Sequence, residues 1–439
     1  MKRMDRTYSK RENARPRGNQ PDWNAFFAAG LKSRDDEEKK GSCAMSEQPV
    51  IRNIPKEQFQ ESMDLSAFAF QYVLTEEDRY HREALMRTEE LWGAYVDGRL
   101  AAKLTIHGFE TWMHGKKFAL GGIAGVATWP EYRRGGLVTK LLAHALMTMK
   151  EQGQTLSFLY PFQFPFYRKF GWEMCAEQKI YDIPAALLPH WPAGTGKIVR
   201  TGGQRELLEP VYTAYAERYN GMLVREEGWW EHRVFRNKPG TAAVYYDSSG
   251  RAAGYVMYQV KERVLKVHEL VYLDHQARTA LWRFLADHDS MIDRLTLSAP
   301  AEDDLAFLLD HPRIKQELSP TFMARIVDVP AFLAKFPFAS GVESTLLLRV
   351  EDTHAAWNNG VWRLSVDESG TAVVREADSA SSGCLPFASC SIQTLAVLML
   401  GYRRPALLHE IGRLQGTAEA VETLERLIPP RPVYLADYF

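Results

Sequence analysis

The sequence predicts a mixed α/β, or α+β, protein built from three consecutive domains. Its 439 residues, 46% of them hydrophobic, have a globular composition but are too many for one hydrophobic core. An antiparallel meander followed by a helix and a strand occupies the first part of the chain, and the same order recurs in the middle. Short strands followed by helices fill the last part, which is the pattern of a separate α+β domain.

The first meander is identified by its turns and its alternating apolar runs. Its predicted strands are residues 91–96, 99–109 and 118–128. Asp97-Gly98 between two apolar runs is a strong signal for a hairpin turn. A helix is predicted next, because seven apolar residues at helical spacing form one face: Leu137, Val138, Leu141, Leu142, Ala145, Leu146 and Met149. A short buried strand is predicted over residues 155–160.

The middle of the chain repeats this order of elements. The predicted elements are strands at 241–246, 251–260 and 264–273, a helix near 277–288 and a strand at 294–299. The junction before this second helix, residues 274–278, contains no glycine, so a close approach of its backbone to a phosphate is not expected. The second copy is therefore predicted to be degenerate.

The last part of the chain is predicted to contain short strands followed by helices. The predicted elements are strands at 345–350, 361–366 and 371–375 and helical segments at 392–400, 407–414 and 418–427. The chain ends in an aromatic-rich segment, residues 429–439. An end of this composition is expected to pack against the rest of the protein.

Composition and charge exclude several broad classes of protein. The chain has 54 basic and 55 acidic residues, so its formal charge of -1 gives no general reason to bind nucleic acid or a membrane. The four cysteines (Cys43, Cys175, Cys384 and Cys390) are too scattered for a disulfide framework, which favours a reducing cytoplasm. No apolar run is long enough to span a membrane, and the twelve histidines show no spacing typical of metal ligands.

Residues 1–46 are predicted to form a disordered leader, because they are rich in charged residues and lack apolar periodicity. A basic arm that binds nucleic acid is the alternative interpretation of this segment. The acidic run at 35–38 dilutes its positive charge and weighs against that alternative.

The segment from residue 125 to residue 139 is the strongest functional signal. A strand enters a loop with two arginines and two glycines, and the loop opens a helix whose first N–H groups have no partners within the helix. Unpaired amides, the helix dipole and guanidinium groups together favour a pyrophosphate ligand. The segment lacks both Gly-x-Gly-x-x-Gly and the Gly-Lys-Ser/Thr of a P-loop, and an antiparallel meander precedes it. Coenzyme A remains as the expected phosphate ligand.

The run from Arg133 to Val138 resembles the Arg/Gln-x-x-Gly-x-Gly/Ala motif of GNAT acyltransferases, with Val138 in place of the last small residue. The preceding Val126-Ala127-Thr128 and the later segment 166–172 strengthen this match. From Met45 to Phe439 the layout resembles the Eis (enhanced intracellular survival) family: tandem GNAT folds, the second degenerate, and a sterol-carrier-protein-like α+β domain. The expected domains are a disordered leader at 1–46, a catalytic GNAT domain at 47–195, a degenerate GNAT-like domain at 196–320 and a sterol-carrier-protein-like domain with the catalytic C-terminus at 321–439.

The resemblance implies acetyl-CoA as co-substrate and assigns the residues that hold it. Val126, Ala127 and Thr128 are expected to line the pantetheine arm. The diphosphate is assigned to Arg133, Arg134, Gly135, Gly136, Leu137, Val138 and Thr139. Phe162 and Gln163 are also assigned to the cofactor site.

The resemblance further implies two catalytic groups. The α-carboxylate of the terminal Phe439 is the expected general base, which takes a proton from the amine or orients it, and Asp437 would add negative potential. Tyr167 is the expected general acid, since a phenol is protonated at neutral pH and can donate to the departing thiolate. From the residues alone, Tyr167 is more simply a core residue of an aromatic cluster, and only the resemblance favours catalysis. Cys175 is more simply a buried apolar residue than a nucleophile.

The predicted function is that of a cytoplasmic N-acetyltransferase acting on amines, either aminoglycoside-like polyamines or lysine side chains. The acidic residues expected to suit such acceptors are Glu61, Asp64 and Asp437. The family resemblance implies a homo-oligomer, specifically a hexamer, and no nucleic-acid, membrane or metal partner is expected. Two alternatives stay open: a lipid or acyl-group carrier with non-catalytic GNAT-like domains, and a longer-chain protein N-acyltransferase.

Overall fold

The structure is a computed structural model that describes residues 48–192, 194–377 and 385–439. These residues form three β-sheets, of seven, seven and five strands. The predicted leader at 1–46 lies outside the described residues, as do Cys43 and Cys384.

The first sheet contains the predicted meander. In spatial order its strands are β1 (Val50–Asn53), β2 (Leu91–Val96), β3 (Arg99–Met113), β4 (Lys116–Thr128), β5 (Leu156–Leu159), β14 (Met323–Ile326) and β6 (Glu173–Met174). Its helices are α1 (Phe59–Phe70), α2 (Glu76–Leu85), α3 (Leu137–Glu151) and α4 (Phe164–Arg168). Helix α3 covers one face of the sheet, and six of its seven predicted apolar residues are buried, whereas Val138 is half-buried. The predicted amphipathic helix is confirmed.

The second sheet repeats the arrangement. In spatial order its strands are β13 (Lys315–Pro320), β7 (Glu177–Pro184), β12 (Arg294–Pro300), β11 (Val264–Tyr272), β10 (Ala252–Lys261), β9 (Thr241–Tyr246) and β8 (Lys197–Thr201). Its helices are α5 (Arg205–Ala216), α6 (Glu227–Trp229), α7 (Phe235–Asn237), α8 (His275–Ala286) and α9 (Leu305–Leu308). Residues Trp230–Val234, between α6 and α7, form a π-helical turn, a feature that occurs frequently at functional sites.

The first two sheets exchange strands. Strand β7 directly follows β6 of the first sheet in sequence, yet it lies between β13 and β12 of the second. Strand β14 follows β13 of the second sheet and lies between β5 and β6 of the first. Each sheet therefore depends on a segment from the other half of the sequence.

The third sheet belongs to the last domain. In spatial order its strands are β17 (Ala372–Glu376), β16 (Gly360–Val366), β15 (Ser344–Glu351), β18 (Phe387–Ser391) and β19 (Leu414–Gly416). Its helices are α10 (Val329–Lys335), α11 (Ile392–Met399), α12 (Pro405–Glu410) and α13 (Ala418–Leu427). The helix predicted over 407–414 is wrong at its end: α12 stops at Glu410, Gly412 has a left-handed φ of 72°, and Leu414 pairs with Cys390 in β19. Pairing with a distant strand overrides the local helical pattern.

The C-terminal segment packs between the domains, as its aromatic composition predicted. Val433, Tyr434 and Leu435 are buried in the largest hydrophobic cluster, which also contains residues of all three sheets. The Asn220 amide donates to the Pro432 carbonyl at 2.9 Å, and Tyr434 donates back to the Asn220 carbonyl at 3.0 Å. These bonds hold the end of the chain against the second half of the molecule.

Candidate active site

Strand β4 has an open edge where it passes β5. The two strands pair in parallel only from Leu120–Leu156 to Ile123–Leu159, whereas β4 continues to Thr128. Within the described residues no strand pairs with β4 beyond Ile123 on that side, so its amides and carbonyls face a gap. An extended ligand with amide groups can add to such an edge as a strand does.

A bulge lies at the start of this open edge. The register between β3 and β4 shifts between Lys103 and Thr105, and Gly125 adopts a φ of 56°, which is a left-handed conformation that favours glycine. The bulge turns the backbone of β4 next to Val126. The open edge of β4 therefore begins at this bulge.

The loop after β4 ends at a helix terminus that no side chain caps. Residues Pro130–Tyr132 form a 3-10 turn, Arg134 has a φ of 63°, and Gly136 has a φ of 76°. Gly136 is the N-cap residue of α3, and no side-chain hydrogen bond caps this helix. The first amides of α3 are thus available to an anion.

Two guanidinium groups flank this terminus. Arg133 and Arg134 are exposed, and within the described chain neither forms an ion pair. The Arg133 Nε atom donates to the Thr128 carbonyl at 3.2 Å, and Arg133 lines an open groove of about 600 Å³ beside Phe68. These features fit a diphosphate at the helix terminus.

The other assigned cofactor residues differ in exposure. Gly135, Gly136 and Thr139 are exposed, whereas the Leu137 side chain is buried in the core, so only its amide can contact a ligand. The Phe162 side chain is 47% exposed, and Gln163 is exposed at the N-cap of α4. Both follow β5 on the far side of the gap.

Tyr167 lies in α4, beyond the end of β5. Its side chain is buried against Phe162, Phe166 and Trp172, with ring centroids 5.3, 5.1 and 6.4 Å away. Its hydroxyl has no hydrogen-bond partner among the described residues. Burial raises the pKa of Tyr167 well above its usual range, so the phenol stays protonated.

The terminal Phe439 lies against β4, on the face opposite α3. Its ring is 5.1 Å from that of Phe109 and 5.4 Å from that of Phe322. A Cβ atom placed on Gly122 would approach the Phe439 ring to 3.0 Å, so the close packing depends on this glycine. Among the described residues, Phe439 and Tyr167 share no ring neighbour, and their rings pack in separate clusters.

Comparison with known proteins agrees with this arrangement. Residues 50–175 and residues 221–326 each match the acetyltransferase (GNAT) domain family, and residues 329–436 match the sterol carrier protein domain family. The crystal structure of a probable N-acyltransferase from Enterococcus faecalis V583 is 31% identical, with a TM-score of 0.83; the alignment covers 89% of this chain and 100% of that one.

The chain belongs to the GNAT acetyltransferase family. An uncharacterized N-acetyltransferase from Streptomyces griseus is 27% identical over 376 residues, which cover 79% of this chain and 87% of that protein. The N-acetyltransferase Eis of Mycobacterium tuberculosis is 26% identical over 312 residues, 67% of this chain and 74% of that protein. The protein is thus an Eis-like, acyl-CoA-dependent N-acetyltransferase with two GNAT domains and a sterol-carrier-protein-like domain. No helix in the described parts of this GNAT protein is long and apolar enough to cross a membrane.

A buried ionic network anchors the terminus of this Eis-like enzyme. The Arg225 Nε atom donates to both carboxylate oxygens of Asp437 at 3.1 and 3.0 Å. Its two terminal nitrogens donate to Glu269 at 3.0 and 2.6 Å, and Lys238 forms an ion pair with the same carboxylate. Asp437 also accepts from Trp229 at 3.4 Å. Its charge is balanced within the network, so Asp437 does not add the free negative potential expected of it.

The remaining sequence candidates are engaged elsewhere in the GNAT domains. Asp64 pairs with Arg79 at 2.8 Å, and Glu61 accepts from Gln58 at 3.0 Å. Cys175 is buried, and burial raises the pKa of its thiol, which matches an apolar core residue. No group of three metal-ligating side chains occurs in the part of the chain that the structure describes.

Sequence reasoning missed residues on the face of β3 and β4 that the terminus covers. Lys103 is 5% exposed, Phe109 contacts Phe439, and Trp229 contacts Phe109 with ring centroids 4.9 Å apart. One signal for Lys103 was present, because a lysine interrupts an otherwise apolar run at residues 100–104. The sequence did not indicate a functional role for Phe109 or Trp229, since aromatic residues are common in buried elements.

Proposed function

We propose that this Eis-like enzyme transfers the acetyl group of acetyl-CoA to a primary amine, with Tyr167 as general acid and the Phe439 α-carboxylate as general base. The open edge of β4, which leads directly into the uncapped terminus of α3, is the observation that most strongly supports acetyl-CoA as donor. By family resemblance the proposal extends to a cytoplasmic homohexamer.

The donor is held along its whole length in this proposal. Val126, Ala127 and Thr128 pair with the pantetheine amides along the β4 edge. The amides of α3, together with Arg133 and Arg134, hold the diphosphate. The amide of Val126 or Ala127 donates to the thioester carbonyl and stabilises the oxyanion that forms when the amine attacks.

Tyr167 supplies the proton for the leaving group. The amine nitrogen bonds to the carbonyl carbon, the carbon–sulfur bond breaks, and the phenol donates its proton to the departing thiolate. Burial keeps the phenol protonated and keeps water away from it. Because its hydroxyl has no partner in the described protein, it is free to bond the sulfur.

The Phe439 α-carboxylate takes the proton that the amine must lose. Its ring contacts with Phe109 and Phe322 place the end of the chain beside β4. A carboxylate of ordinary pKa is a weak base, so it also attracts and orients the ammonium form of the acceptor. The buried ion pair between Arg225 and Asp437 anchors the chain two residues before this carboxylate.

Extension of the C-terminus tests the proposal. Coenzyme A release from acetyl-CoA is measured with a panel of amines for the native chain, for a chain with two glycines added after Phe439, and for a control with two glycines added before Met1. The C-terminal extension is expected to abolish turnover and to leave acetyl-CoA affinity unchanged, while the control stays active. Full activity of the C-terminal extension would remove the carboxylate from the mechanism. Failure of the native chain to bind acetyl-CoA would refute the donor assignment.

A further inference from the structure

Three polar side chains meet at the β4 bulge without partners. A Cβ atom placed on Gly125 would lie 3.7 Å from Lys103 Nζ, 3.7 Å from Thr105 Oγ1 and 3.9 Å from Ser66 Oγ. Lys103, Thr105 and Ser66 are only 5%, 8% and 7% exposed. None of the three side chains has a hydrogen bond or ion pair with any described residue. Three converging polar groups that no described residue engages can together bind a polar group of a ligand.

The positive charge that Lys103 carries when protonated indicates that the ligand is an anion. Burial, and then repulsion from Arg82, lower the pKa of Lys103 to about 7. An ammonium group in such a position is strongly disfavoured unless a negative group approaches it. A carboxylate within hydrogen-bond distance of Lys103 would restore its charge and also accept from the two hydroxyls.

Two further cations lie near this cluster. Arg82 of α2 donates to the Tyr72 hydroxyl at 2.7 Å and stacks on the same ring. Arg233, in the π-helical turn, donates to the Tyr438 carbonyl at 3.4 Å and lies over the Trp229 ring. Neither arginine forms an ion pair with a described acidic residue. The residues that precede them, His81 and His232, have their Nδ1 atoms 3.1 Å apart, so the two arginines lie in adjoining segments. Burial, and then repulsion from Arg82, also lower the pKa of Arg233 to about 10.

The acidic side chains around this region have partners of their own. Glu90 contacts His107 at 2.9 Å, Asp437 pairs with Arg225 and Asp64 pairs with Arg79. The α-carboxylate of Phe439 is then left to meet the ammonium group of the acceptor, and the cations are left to meet a negative group. An acceptor that carries both charges matches this pattern better than the polycation that the acidic residues of the sequence first indicated.

We propose that the pocket formed by Lys103, Ser66 and Thr105 binds a carboxylate of the acceptor, so that the acceptor is an amine that also carries a carboxylate, such as an amino acid or a peptide terminus. This inference rests on the proposed acetyl transfer. Arg82 belongs to α2 and Arg233 contacts the Tyr438 carbonyl, so neither belongs to the loop and helix proposed for the diphosphate, and both would attract a negatively charged acceptor.

Matched acceptors test the assignment. Turnover is measured with ω-amino carboxylates from glycine to 6-aminohexanoate and with unsubstituted alkylamines of the same length. The native enzyme is expected to prefer a carboxylate-bearing acceptor. In Lys103→Met the KM for that acceptor is expected to rise about 30-fold, the effect of losing one charge-assisted hydrogen bond, while kcat and the KM for the alkylamine stay within about twofold. Lys117→Met, which removes an exposed lysine of β4, is the control.

Other outcomes would overturn the assignment. A fall in kcat with both acceptor series would place Lys103 in the chemical step. A native enzyme that uses succinyl-CoA better than acetyl-CoA, with Lys103→Met reversing this order, would assign the carboxylate to the acyl group. Calorimetric titration with pentanoate tests the pocket without turnover. We expect the native chain to bind pentanoate and Lys103→Met not to bind it. Equal binding by both proteins would refute the pocket, whatever the outcome of the C-terminal extension.

Discussion

The amine of Lys103 is buried, and no described carboxylate forms an ion pair with it. Desolvation of its charged form costs free energy in the unliganded protein. A stability cost of this kind is common where a site is shaped for a ligand and not for the fold alone. The cost can be measured without knowing the ligand.

Lys103→Met is expected to raise the free energy of unfolding by about 4 kcal/mol at pH 7, because folding no longer has to desolvate or deprotonate a buried amine. The pKa of Lys103 is lowered from 10.5 to about 7 on folding, so between these values the unfolded chain binds more protons. Native stability therefore rises with pH across this window, and the advantage of the variant is expected to shrink towards pH 10. Urea unfolding at pH 7, 8.5 and 10 measures the difference. A difference that is independent of pH would contradict this prediction.

Tyr167→Phe is expected to lower kcat about 100-fold or more and to leave acetyl-CoA affinity unchanged, because only the proton donor is lost. The raised pKa keeps Tyr167 protonated, so the native enzyme should not lose activity through this group between pH 7 and pH 9. Tyr245→Phe is the control, because Tyr245 is equally buried but lies in the second sheet. Equal kcat values for Tyr167→Phe and the native enzyme would assign Tyr167 to packing alone.

At the scale of elements, β4, the loop and α3 form one continuous surface, which is the proposed site of acetyl-CoA. The strand presents an open edge, the loop supplies two guanidinium groups, and the helix supplies unpaired amides. The glycine at the N-cap joins these parts, because its left-handed conformation turns the chain from the loop into the helix.

Gly136→Ala is expected to weaken acetyl-CoA binding about tenfold, because an alanine strains the left-handed conformation and adds a methyl group at the diphosphate site. Gly98→Ala is a matched control: both glycines have a φ of 76° and no atom within 4 Å of an added Cβ. The two variants should lose similar stability, about 1 kcal/mol, in thermal unfolding. Equal acetyl-CoA affinity in fluorescence titrations of the two variants would contradict the site assignment.

At the scale of the whole molecule, the end of the chain couples the three domains. It leaves the third domain after α13, bonds to Asn220, and is anchored by Arg225 before it reaches β4. The exchange of β7 and β14 fixes the relative position of the first two sheets. The terminal carboxylate thereby has a defined place although it belongs to the most distant part of the sequence.

Asp437→Asn is expected to lower turnover at least about tenfold with acetyl-CoA affinity retained, because Arg225 loses one of its two buried carboxylate partners and the terminus is released. Faster removal of Phe439 by a carboxypeptidase should accompany the loss. Asp304→Asn is the control, since Asp304 pairs with Arg278 at 2.7 Å in the second domain. Unchanged turnover together with a protected terminus in Asp437→Asn would show that the network is not the anchor.

Features that depend on short-range physics could be predicted from the order of the residues. The Asp97-Gly98 turn, the apolar face of α3 and the glycine-arginine loop were all legible, since each is set by residues a few positions apart. The fold class and the order of the three domains followed from these signals and from the resemblance that they supported. Local signals failed at Leu414, where pairing with a distant strand ended the predicted helix.

The contacts between distant segments could not be predicted in this way and are set by the complete fold. Long-range packing joins the first two sheets through β7 and β14 and brings Phe439 against Gly122. It also forms the pocket at Lys103, whose polar side chains have no described partners. Such contacts produce no periodic pattern of residue types, because the partners lie up to hundreds of residues apart in the sequence. Burial and the loss of water change what a lysine or a terminal carboxylate can do, and these depend on the whole fold.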